Sequence, residues 1–85
     1  MNPMKTSAQV NEDIAIGHMG ALCRSFRLCV NSPTEQLRHE YATKVRLYRD
    51  QLRKCSDAQP LDGTLRWAAN ESELVVKLLE ASCST

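Results

Sequence analysis

Apolar residues recur along this chain in three stretches at helical spacing, separated by two short breaks rich in Asn, Ser, Pro, Asp and Gly. In the first stretch, Ala8 to Val30, the residues Ala15, Met19, Leu22, Phe26 and Val30 step by four, three, four and four. Ile16 and Cys23 broaden that stripe. Gly17 and Gly20 weaken this helix by up to about 1 kcal/mol each relative to Ala. The run Asn31-Ser32-Pro33-Thr34-Glu35 then reads as a break and a helix start, with Ser32 as N-cap, Pro33 at the first helical position and Glu35 closing a capping box. The second helix runs to about Cys55, and Leu37, Tyr41, Val45, Tyr48, Leu52 and Cys55 form a heptad-like seam suited to an antiparallel neighbour. Ser56 to Gly63 is a turn, with Asp57 or Asp62 available to cap the third helix. Connections this short make sequential helices antiparallel neighbours.

The pattern therefore predicts an all-α fold, either a small antiparallel three-helix bundle or a helical hairpin plus a third helix. The helices are expected near residues 8–30, 33–55 and 62–83. A polar tail over Met1–Ser7, containing Pro3, is expected to be disordered, and residues 8–85 form a single helical domain.

The third helix is apolar on two sides. At 100° per residue, Leu65, Ala68, Ala69, Val75, Val76, Leu79 and Cys83 fall in one broad sector. Trp67, Leu74, Leu78 and Ala81 fall roughly opposite, with Glu71 interrupting the apolar girdle. A helix with one apolar stripe has one neighbour to satisfy, whereas one apolar most of the way round expects enclosure. A chain of 85 residues has few elements to enclose it. The surplus stripe points to a second chain, either another protein or a copy of this one. Wrapping of the third helix by the first two is the competing expectation, since it would bury both stripes within one chain.

Composition agrees with a small folded helical domain: Leu, Ala, Arg, Glu and Gln are plentiful, and Val, Ile and aromatic residues are sparse. A core this small is marginal without a staple, a metal or a partner. Net charge is +1, which sets up no global field toward nucleic acid or anionic lipid. The first thirteen residues carry no apolar run of the secretory kind, and no window approaches a membrane span, so a cytoplasmic protein is expected.

Candidate chemistry is sparse. Cys23, Cys29, Cys55 and Cys83 include no C-x-x-C pair, and they are expected to act as small apolar fillers. Cys29 and Cys83 would share one end of an antiparallel bundle, the one intramolecular pairing it would permit. His18 and His39 lie on different helices with no third group at ligand spacing, and no Ser/His/Asp or Cys/His arrangement has a supporting context. Gly17-His18-Met19-Gly20 lacks the preceding strand and following Lys-Ser/Thr of a phosphate loop, and reads as a site of close helix approach. Asn70-Glu71-Ser72 matches the glycosylation sequon but sits inside a helix. No metal or cofactor is expected.

The second helix is basic. Arg46, Arg49 and Arg53 flank its seam, where they would steer an acidic partner or contact phosphate, or else pair with Glu71, Glu73 and Glu80 on helix three. The expectation is a non-enzymatic regulatory or adaptor protein. It would bind another protein, or itself as a homodimer, through Trp67, Leu74, Leu78 and Ala81, with Arg46, Arg49 and Arg53 steering the encounter. An anti-activator that covers its target's dimerisation surface is one such mechanism. The alternatives are a secretion or assembly chaperone for a helical client, and a nucleic-acid-binding module using helix 33–55.

Overall fold

Thr6 opens α1 (Ser7–Val30). Its hydroxyl accepts from the Gln9 amide at 3.2 Å, and the Gln9 side chain accepts from the Thr6 amide at 2.9 Å, closing a capping box. The computed structural model describes residues 4–83, the Cys83 side chain excepted. Of the tail expected over Met1–Ser7, Met1–Pro3 lie outside the described residues, while Thr6 and Ser7 belong to the helix start. Lys5, just before the cap, pairs with Asp13 two turns along.

The start of α2 (Glu35–Ala58) falls two residues later than the sequence suggests. Thr34, in extended conformation, is the N-cap and accepts from the Leu37 amide at 3.2 Å. The Ser32 hydroxyl turns the other way and donates to the Leu28 carbonyl at 2.6 Å, satisfying an orphan acceptor at the end of α1. A Ser or Thr followed by a suitably placed amide serves equally well at either position, so hydroxyl chemistry alone does not choose between them. α3 (Gly63–Cys83) is capped by Asp62, whose Oδ1 accepts from the Leu65 amide at 2.9 Å and whose Oδ2 accepts from Asn11 Nδ2 at 3.1 Å. The Leu65 amide first, then Asn11, hold the Asp62 carboxyl below its ordinary 3.8.

The three helices pack in all pairwise combinations, α2 antiparallel to the other two and α1 parallel to α3. One core cluster joins Leu22 and Cys29 of α1 to Ala42 and Val45 of α2 and Val76 and Leu79 of α3. The other joins Ala15, Leu52, Leu65 and Ala68 nearer the α3 N-terminus. The register of α1 on α3 is constant. Asn11 meets Asp62, fifty-one positions on. Ala15 shares a cluster with Leu65 and Ala68, and Cys29 and Val30 share a cleft with Leu79 and Ser82.

The buried line of α1 shares only Ala15 and Leu22 with the one its apolar residues trace. Ala15, Leu22, Ser25 and Cys29 are buried and Asn11 and His18 half-buried, so the inward seam steps 11, 15, 18, 22, 25, 29. Met19 and Phe26 lie on its flank, half-buried, while Ile16, Cys23 and Val30 face solvent. Three members of the seam are polar and each is accommodated. Asn11 bonds Asp62, the His18 ring stands 6.2 Å from that of Tyr48, and Ser25 is small. Gly17 and Gly20 do not mark a close helix approach, because a methyl group on either would meet nothing within 4 Å. On α2, Val45 and Leu52 of the expected seam are buried, Tyr41, Tyr48 and Cys55 half-buried, and Leu37 exposed.

Candidate functional site

Trp67, Leu74, Leu78 and Ala81 all lie on the outside of the bundle. Trp67 is 59%, Leu74 52% and Leu78 60% exposed, whereas Leu65, Ala68, Val76 and Leu79 on the other side of α3 are 3% exposed or less. Neither neighbouring helix wraps around to cover the second stripe. Ser72, the buried hydroxyl of α3, is satisfied within its own helix by donating to the Ala69 carbonyl at 2.6 Å.

A second exposed stripe runs beside the first, on α1. Ile16, Cys23 and Val30 are seven residues apart, as are Trp67, Leu74 and Ala81, so both lines drift around their helices at the same rate of about 20° per step. Their direction follows from the packing. On α1, His18 and Cys29 mark the α2 side, through the Tyr48 ring and the Arg38 carbonyl, which the Cys29 Sγ meets at 3.3 Å. Rotating past the core brings Val30 to α3, where it shares a cleft with Leu79 and Ser82, and further rotation reaches Cys23 and Ile16. On α3, Glu73 and Glu80 mark the α2 side, and rotation in the opposite sense passes the core before reaching Leu74, Trp67 and Leu78. Because the two helices are parallel, both outward sectors look the same way, directly away from α2.

With the register of fifty-one, Ile16 stands level with Trp67, Cys23 with Leu74 and Val30 with Ala81. The face is thus a ladder of three rungs about 10 Å apart, with half-buried Met19, Phe26 and Val75 between the uprights and Leu78 above the middle rung. At roughly 150–250 Å² for an aromatic side chain and less for the aliphatic ones, its large residues leave on the order of 500 Å² of apolar surface in water. That is as much as the largest patch on an ordinary monomer, and such patches are commonly functional. Val10 and Leu28 of α1, Leu37 and Leu47 of α2, and Leu61 and Met4 are exposed too, away from this face, and some exposed apolar surface of this kind is usual.

Arg46, Arg49 and Arg53 come together on α2, on the side of α3 away from this face. Arg49 meets Asp50 at 2.7 Å and Glu73 at 3.4 Å, Arg53 pairs with Glu73, and Arg46 stands 3.8 Å from Glu80. Glu73 thereby receives two guanidinium groups, as Lys/Arg-rich and acidic helix sides in contact favour. Glu71, the third acid expected in this pairing, has no such partner; it lies half-buried at the level of Gly20, within the apolar face. On the rim of that face stand Arg27 of α1 and Lys77 of α3, both exposed and, among the described residues, in no ion pair.

His39 is exposed, and among the described residues no three His, Cys, Asp or Glu side chains converge as metal ligands. Cys23 is exposed and Cys55 half-buried, both as thiols. The pairing of Cys29 with Cys83 lies outside the described residues. No described helix is long and apolar enough to cross a membrane. No family model matches the chain, and neither a curated protein nor a solved structure does.

Proposed function

We propose that this chain is a non-enzymatic regulatory or adaptor protein that acts by binding another protein through the apolar side of α3, covering a surface its target needs for dimerisation or activation. One observation carries the reading: Trp67, Leu74 and Leu78 are all more than half exposed on a helix whose other side is fully packed. The adjoining Ile16, Cys23 and Val30 widen the surface to two helices, which suits a partner helix laid along them. A tryptophan flanked by leucines is the composition of an interface centre, where truncation of such anchors costs on the order of 2 kcal/mol or more of association.

The three arginines of α2 lie on the other side of α3, where their ion pairs with Glu73, Glu80 and Asp50 favour a structural role over steering or phosphate contact. Arg27 and Lys77, on the rim of the face, are the cations better placed to steer an acidic target. A photo-crosslinking residue placed at Leu78, and separately at Arg53 as control, tests the proposal in the cells that make the protein. Adducts with a foreign chain are expected at position 78 and not at 53. Their absence at 78, or equal yield at both positions, overturns the reading.

A further inference from the structure

We infer that the resting occupant of the α1–α3 face is a second copy of this chain, laid antiparallel across a two-fold axis through the Cys23–Leu74 rung. The inference deepens the proposed function and rests on it: a target would have to displace the second copy to reach Trp67 and Leu78.

Three independent features select this occupant. The first is area. The chain exposes 6127 Å², against roughly 5,100 Å² for a folded monomer of its mass. Its radius of gyration is 14.5 Å, against about 12 Å for a compact chain of this length. On the α1–α3 face this exposure is on the order of 500 Å² of apolar surface, about the non-polar share of the roughly 800 Å² per side that a standard interface buries.

The second is the symmetry of the ladder. The outer rungs, Ile16–Trp67 and Val30–Ala81, lie seven residues either side of the middle one. A two-fold axis at the middle, perpendicular to the helices, sets Ile16 against Val30 of the other copy and the indole of Trp67 over the small Ala81. It sets Leu74 on Leu74 and Cys23 on Cys23. Each copy offers the surface the other needs, the condition for a closed isologous pair. Gly20, with nothing within 4 Å of its missing methyl, leaves room beside the axis for a second backbone.

The third is charge. Glu71 lies on one side of the middle rung and Arg27 and Lys77 on the other, all without ion pairs among the described residues. The antiparallel two-fold carries both cations of one copy to the level of Glu71 in the other. An axis along the helices would bring Arg27 level with Lys77 instead, cation against cation. A half-buried carboxylate within the face also opposes insertion into lipid.

Sedimentation of the purified full chain over a dilution series, under reducing conditions, reads the outcome. The wild type is expected to be a dimer that dissociates on dilution. Leu74→Asp should weaken it at least tenfold with helical circular dichroism retained; Trp67→Asp serves the same purpose if Leu74→Asp folds poorly. Glu71→Lys, which sets a third cation among Arg27 and Lys77, should weaken it about tenfold at low salt. A short bis-maleimide should join the two copies in wild type and not in Cys23→Ser. A monomer at every concentration, a dimer indifferent to Leu74→Asp and Trp67→Asp, or a cross-link that survives Cys23→Ser overturns the inference. A monomer that still yields foreign adducts at position 78 refutes self-pairing alone. A dimer through this face with no foreign adduct refutes the regulatory role alone.

Discussion

Leu78 and Leu79 are adjacent, chemically identical and oppositely placed, so truncating each in turn measures the exposed face against the core. Leu79 is 1% exposed and joins the cluster of Leu22, Val45 and Val76. Leu79→Ala should cost about 2–5 kcal/mol, the transfer free energy of the lost carbons plus the cavity they leave. Leu78 is 60% exposed. Full burial of a leucine is worth about 1.5–3 kcal/mol, so the two-fifths already covered bring Leu78→Ala to about 1 kcal/mol or less, and the higher helix propensity of Ala offsets part of that. The gap is large for a domain whose total stability is of order 4–13 kcal/mol at this length. Urea denaturation followed by circular dichroism, at a concentration where the chain is monomeric, gives both values from midpoint shifts at constant slope. Equal losses for the two variants in the monomer would mean that the Trp67 side of α3 is covered within one chain, and the binding proposal would have no surface to work with. Repeating the titration at high concentration adds a second reading: Leu78→Ala should become the more costly as association enters the stability of the wild type.

Four further outcomes follow from named contacts. Gly20→Ala should stabilise the monomer by about 0.5–1 kcal/mol in thermal or urea unfolding, because the added methyl meets nothing within 4 Å and the helix gains propensity. Thr34→Ala should cost about 1 kcal/mol through loss of the acceptor for the Leu37 amide, with faster hydrogen exchange confined to the first turn of α2. Glu73→Gln should cost about 1 kcal/mol, since it removes the shared carboxylate of Arg49 and Arg53 at a part-exposed site, and the loss should shrink in 1 M salt. Asp62 has a folded carboxyl held below 3.8, so its contribution is present above that value and is lost as pH falls through the lowered one. The stability advantage of wild type over Asp62→Asn should therefore narrow in urea titrations below about pH 4.

The helix count, the connections and the outward stripe of α3 were legible because each rests on strong local signals. Pro33 and Pro60 interrupt the pattern, although α2 continues past the expected Cys55 to Ala58 and the turn is confined to residues 59–62. Trp67, Leu74 and Leu78 share a helix side whatever lies around them. The apolar spacing misplaced α1. Its true seam contains Asn11, His18 and Ser25, so a search for apolar steps keeps Ala15 and Leu22 but drifts onto the neighbouring Met19, Phe26 and Val30. That choice hid the Ile16–Cys23–Val30 stripe by assigning it to the core. A signal was present in the seven-residue recurrence of Ala15, Leu22 and Cys29, small or apolar at every step. It could not prevail without knowing that Asn11 has Asp62 and His18 has Tyr48 to receive them. For the arginines of α2 both an encounter and ion pairing with α3 were readable. Which acids would pair could not be told, because acids on another helix cannot be put into register from spacing alone. Glu73 proved to be level with Arg49 and Arg53, and Glu71 did not.

The distribution of apolar surface also limits what kind of assembly this chain can enter. α2 presents Arg38, Lys44, Arg53 and Lys54 to solvent, and Leu47 is isolated among polar neighbours. Among the described residues the most exposed run of large apolar side chains is on the α1–α3 side, while Val10, Leu28 and Leu37 elsewhere are less exposed. A molecule with two complementary patches on different sides propagates into a filament, whereas one with a single patch saturates after one association. On the proposed pairing, self-association would stop at two, and a target occupying the face would exclude the second copy. The same surface cannot serve both at once, so the affinity of one sets the threshold for the other. Weakening the dimer without touching the target contacts should lower the concentration of target needed for half-occupancy, in proportion to the fraction of chain released as monomer.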